Sequence, residues 1–149
     1  MKLSPQERAA LKARQAELRA RARGQDAHAA AIEAISQMPE SDRLMAERLV
    51  ELIAAHFPAL QLRTWYGMPA WANSHGNVVC FFQGASKFRT RYATLGFTDA
   101  AQLDHGDIWP TAFAVQRLST EVETTILHLI AQAITYRDDH GTHVAGSTT

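Results

Sequence analysis

The chain has 149 residues, 46% of them hydrophobic and 20% charged, with no net charge at neutral pH. Such a length fits one domain with a real core, and the composition excludes a disordered chain. The single cysteine, Cys80, excludes an intramolecular disulfide and a cysteine-rich zinc site, and no apolar run approaches the roughly 18 residues of a membrane span.

Charge is unevenly placed. Residues 1–24 hold seven basic side chains (Lys2, Arg8, Lys12, Arg14, Arg19, Arg21 and Arg23) against Glu7 and Glu17, so the remainder is acidic by five charges. This asymmetry predicts an arm for an acidic protein partner, or a helix that docks on its own acidic body. Net neutrality argues against nucleic acid as the main partner. The opening Met1-Lys2-Leu3-Ser4-Pro5 lacks the apolar stretch of a signal peptide. With the lone cysteine, it predicts a reducing, cytoplasmic setting.

Ser4-Pro5-Gln6-Glu7 reads as a capping box with proline at the first helical position. The helix it opens runs to Arg23, with Gly24 as the stop. Only Leu11 and Leu18 punctuate its alanines, so the helix is expected to be an accessory element. Asp26 is placed to cap a second helix through Gln37, anchored by Ile32 and Ile35 and broken at Met38-Pro39. A third helix is expected from Glu40 to His56, with Met45, Leu49, Leu52 and Ile53 on one face.

The texture then changes. Leu62 to Trp65 reads as a strand, Trp65 to Trp71 as an aromatic bend, and Val78 to Gln83 as a central apolar strand. A strand from Phe88 to Leu95 follows, then a helical turn from Thr98 to Leu103 and a strand from Thr111 to Arg117. Ser119 or Thr120 caps a final helix. These elements predict an α+β fold: an antiparallel sheet of four to five strands packed against helices. The domain plan is an accessory helix over 1–25, a body over 26–137 and a polar tail over 138–149.

Thr64-Trp65-Tyr66-Gly67-Met68-Pro69-Ala70-Trp71, followed by Val79-Cys80-Phe81-Phe82, resembles the YdhG-like family of domains of unknown function. The family's aromatic-Gly-Met-Pro-Ala-aromatic segment, apolar strand, lysine-bearing strand and late helix occur here in order over residues 39–136. The resemblance implies a frataxin-like fold and, because some members are described as intracellular iron chaperones, handling of iron as cargo. Where the family often places a histidine after the strand lysine, this chain reads Lys87-Phe88-Arg89-Thr90-Arg91-Tyr92.

Several groups are candidates for function. Trp65, Tyr66, Met68 and Trp71 either wall an apolar pocket or plug the end of the sheet as core. Lys87, Arg89 and Arg91, alternating on one strand beside Tyr92, suit a carboxylate or phosphate, or form a solvated sheet face. Glu47 and Glu51, one helical turn apart, are weak metal candidates. So is the tail Asp138-Asp139-His140-Gly141-Thr142-His143. Phosphate loops, GxSxG and HExxH are all missing, and Cys80 sits inside an apolar strand. The expected function is non-catalytic binding of a small ligand or metal ion, the alternative a protein- or nucleic-acid-interaction module working through the basic helix.

Overall fold

A computed structural model describes residues 2–135. Helix α1 (Pro5–Ser36) and helix α2 (Glu40–His56) precede a meander of strands β1 (Gln61–Trp65), β2 (Met68–Ala72) and β3 (Val78–Gln83). A single turn of helix, α3 (Ala85–Phe88), leads to β4 (Ala93–Phe97), β5 (Ala112–Val115) and the last helix, α4 (Thr120–Ala133). The five strands form one antiparallel sheet in chain order. The α+β class is therefore as expected. The tail from residue 138, with His140 and His143, lies outside the described residues.

The core forms where α1, α2 and α4 meet one face of the sheet. Ala31 and Ile35 come from α1, Leu49 and Ile53 from α2, and Ile126 and Ile130 from α4. The sheet supplies Leu62, Trp71, Cys80 and Phe97, which are cross-strand partners in one row. Phe82, Leu95, Ala93 and Val115 continue that face. Arg48 of α2 joins α4 through a two-pronged bond to Glu123, at 2.7 and 2.8 Å. The guanidinium holds the Glu123 carboxyl below the usual carboxylate range.

Four expectations are corrected. The predicted break at Gly24 does not occur: α1 runs unbroken for 32 residues, so the boundary expected at residue 25 falls inside a helix. The capping box at Ser4 and Glu7 is present. Residues 5–23 are exposed throughout, and the first buried position of α1 is Ala31. Gly24 meets only the Gln61 side chain, at 3.8 Å from where a Cβ would stand. A glycine with helical neighbours on both sides weakens a helix without ending it.

The expected strand from Phe88 to Leu95 is replaced by α3 and a shorter β4. The cause lies outside the segment. Asp42 of α2 is the one buried charged side chain among the described residues. Its carboxylate accepts the backbone N–H groups of Ser86 and Lys87, at 3.1 and 3.2 Å. This captures the orphan donors at the start of α3, a tertiary version of a helix cap. The contact needs Gly84, where any Cβ would overlap the Asp42 carboxylate. Arg89, left-handed at φ 56°, closes the turn.

The aromatic bend is a two-residue hairpin. Tyr66 (φ 51°) and Gly67 (φ 77°) both take positive φ, the type I′ geometry that matches strand twist. Met68–Ala72 is a strand despite Pro69. That proline faces Thr64 on β1, and the ladder to β3 starts only at Ala70. The helical turn expected at 98–103 is a loop turn, with the Thr98 hydroxyl accepting the Ala100 N–H at 3.1 Å.

Two glycine substitutions should move stability in opposite directions. Gly24→Ala should raise unfolding free energy by ~0.5–1 kcal/mol, since the helix gains and nothing collides. Gly84→Ala should lower it by ~1–3 kcal/mol through overpacking against Asp42. Urea denaturation of both variants checks the pair.

Cys80 is fully buried, and burial pushes its thiol up to about 12. An unfolded cysteine ionises near ~8.5. The neutral thiol therefore contributes its full share to stability below that value, and loses it as pH rises from there toward the folded value. At pH 8 a thiol reagent should leave the native protein unlabelled over hours and label it within minutes in denaturant. Rapid native labelling would contradict this.

Candidate functional site

The opposite face of the sheet carries a different set of side chains. Cross-strand pairing places Arg63, Ala70, Phe81, Gly96 and Ala112 in one row across all five strands. Trp65 and Met68 pair in the next row. Three of these seven positions, Ala70, Gly96 and Ala112, are small. The Phe81 ring lies over Gly96, so that a Cβ at Gly96 would fall inside it. The glycine is thus the seat of the aromatic ring. Trp65 leans on Phe81 with ring centroids 5.1 Å apart, and Tyr66 stands edge-on to Trp65 at 4.7 Å. Tyr66 is 83% exposed, whereas Trp65, Met68 and Phe81 are half-buried. The result is an aromatic shelf on a floor of alanine and glycine.

A hollow of about 510 Å³ opens beside this shelf. Arg63 and Trp65 border it on the sheet, and Asn77, Thr98 and Asp99 border it on the loops at the strand ends. Arg63 is exposed and makes no ion pair among the described residues. One cation, one carboxylate (Asp99), one indole face and a few neutral polar groups thus converge on a single concavity, the usual make-up of a small-ligand site.

The sequence-predicted residues divide. Trp65, Tyr66 and Met68 lie together at the β1–β2 hairpin. Lys87 joins them: its ammonium is 3.4 Å from where a Gly67 Cβ would be. Trp71 does not. It is 2% exposed and packs in the core on the other face. The adjacent Trp65 and Trp71 signals were thus one surface residue and one core residue, six positions apart and of opposite parity once the two-residue turn intervenes.

Lys87, Arg89 and Arg91 do not alternate along a strand, because Lys87 sits in α3 and the other two in the loop after it. Arg91 lies over the Tyr92 ring at 5.3 Å, and Lys87 over Phe88 at 5.6 Å. All three cations are exposed and make no ion pair among the described residues. Sequence reasoning missed Arg63 and Phe81. Their signal was the parity of β1 and β3: Arg63 shares a face with Trp65, and Phe81 lies between the buried Cys80 and Phe82.

Of the donors suggested for a metal, the tail from Asp138 to His143 lies outside the described residues, and the two helix acids are engaged elsewhere. Glu47 is bonded to Arg43 at 2.9 Å, and Glu51 faces Arg48 at 3.3 Å. Each acid is already matched by a cation, and among the described residues no three His, Cys, Asp or Glu side chains gather at one point. Among these residues, too, no helix is long and apolar enough to cross a membrane. Comparison with protein-family models, with characterised proteins and with solved structures finds no match to this chain.

Proposed function

We propose that this protein is a non-catalytic binding protein whose uncovered sheet face takes a small planar ligand carrying an anionic group. The observation that carries the reading is the Trp65 indole beside Arg63, which has no ion pair among the described residues, at the mouth of a hollow of about 510 Å³. A flat ring stacked on Trp65 would bury two apolar faces at once, and Arg63 would take its carboxylate or phosphate through two parallel N–H donors. Lys87, across the hairpin, adds positive potential without touching the hollow. Binding, with no covalent step, suits these groups: the guanidinium of Arg63 is a hydrogen-bond donor with no acceptor, and the chain's one thiol is sealed in the core. The YdhG-like resemblance and its iron cargo receive less support here, because Glu47 and Glu51 are occupied by arginines.

Native mass spectrometry of protein purified from its own host tests this. A bound organic anion should accompany the wild-type chain and be lost from Trp65→Ala, since aromatic stacking is worth ~1–3 kcal/mol, or about a 5- to 150-fold loss of affinity. Bound iron retained in that variant would overturn the proposal.

One further observation favours a second role, for the exposed half of α1. At about 100° per residue, Leu11 and Leu18 share one stripe, with Arg14 and Arg21 along one flank and Arg8 and Arg19 along the other. Both leucines are nearly half exposed. An apolar seam between two rows of cations is complementary to an acidic amphipathic helix. Phosphate backbones have no use for the leucines. A protein recovered from host extract by the intact chain should be lost on both Leu11→Gln/Leu18→Gln and Arg8→Glu/Arg14→Glu. Recovery of nuclease-sensitive material instead would refute this role.

A further inference from the structure

A second concavity, of about 410 Å³, runs between α1, α2 and β1 on the opposite side of the sheet from the hollow. We propose that it binds an amphipathic monocarboxylate, with its apolar body on the sheet and its head on α1. The floor is apolar: Leu60, Leu62 and Trp71 are each under 10% exposed and form part of the core. The rim is polar and comes from one helix face. Arg21, Gln25 and His28 follow one another at the four- and three-residue spacing that aligns side chains on a helix. Arg21 makes no ion pair among the described residues, and no acidic side chain lines the groove. A single carboxylate against one guanidinium therefore satisfies the charge of the site, and the neighbouring amide and imidazole complete its hydrogen bonding. The volume falls within the range of small-molecule sites.

An independent observation points to the same groove. Gly24 lies in its wall, between Arg21 and His28. Glycine is the worst helix former apart from proline, and nothing in the fold requires it here. It has ordinary helical backbone, and an added Cβ would meet only the Gln61 side chain, at 3.8 Å. By contrast, Gly84 and Gly96 have neighbours that a methyl would strike. Alanine would serve the helix better. What glycine alone provides is space, and that space opens into the groove between α1 and Gln61. Stability given up for room at a binding surface is a recurrent trade in proteins.

Isothermal titration calorimetry of the full chain with decanoate and with 2-naphthoate tests the site, with decyltrimethylammonium as the control of opposite charge. At least one carboxylate should bind with one-to-one stoichiometry and the cation should not. Arg21→Gln should weaken that binding about tenfold or more. Gly24→Ala should raise the melting temperature of the free protein while weakening carboxylate binding about fivefold or more. Trp65→Ala should leave it unchanged, which separates this groove from the hollow on the other face. Failure of both carboxylates to bind at millimolar concentration would overturn the proposal. So would binding indifferent to both Arg21→Gln and Gly24→Ala, or binding abolished by Trp65→Ala.

Discussion

A five-stranded antiparallel meander has two faces, and the helices of this chain bury one. α1, α2 and α4 all contribute to a single cluster with Leu62, Trp71, Cys80 and Phe97. That one-sidedness governs the rest. On the covered face, side chains are large and apolar, because each buried aromatic or aliphatic group contributes roughly 1.5–3 kcal/mol to holding the layers together. On the other face the sheet must meet water, and the chain answers with Ala70, Ala112, Ala114 and Gly96. Two large rings, Trp65 and Phe81, cover part of that floor. The candidate site and the core are therefore separated by the thickness of one strand.

The clamp between Asp42 and the start of α3 sets the other boundary of the site. Burying a carboxylate is costly unless its oxygens are bonded. Here each oxygen takes a backbone N–H from the segment that follows β3. The clamp fixes where the chain leaves the sheet, and so where Lys87 stands relative to the hairpin at Tyr66-Gly67. The Ser41 and Ser86 hydroxyls, 3.1 Å apart, reinforce the same junction.

Much of the fold was legible because it depends on local periodicity. The stripe of Leu49, Leu52 and Ile53 gave α2 within its bounds, the run Val78 to Gln83 gave β3, and Ser119 marked the start of α4. What could not be read depends on partners distant in sequence. Residues 88–95 have the β-branched and aromatic look of a strand, but Asp42, more than forty positions earlier, draws their beginning into a helical turn. Gly24 looked like a stop because glycine usually is one at a helix end, and the tertiary support given to Ala31 and Ile35 carries the helix past it. For the site, the aromatic segment was legible as a concentration of rings. Its division between two faces was not, since a two-residue turn reverses the chain between Trp65 and Trp71. Arg63 was overlooked because a lone arginine in a strand gains meaning only once its cross-strand row is known.

The projecting half of α1 has an electrical consequence. Its nineteen or so exposed residues extend about 28 Å at 1.5 Å per residue, and they carry most of the positive excess of residues 1–24. The balancing negative charge belongs to the remainder of the chain. A protein with an isoelectric point near 7.1 is thus not electrically featureless at neutral pH. Positive charge lies along the exposed half of α1, and the negative excess belongs to the rest of the chain. Such a molecule turns as it approaches a charged surface, so its encounter rates respond to ionic strength as those of a strongly charged protein would, although its net charge is zero.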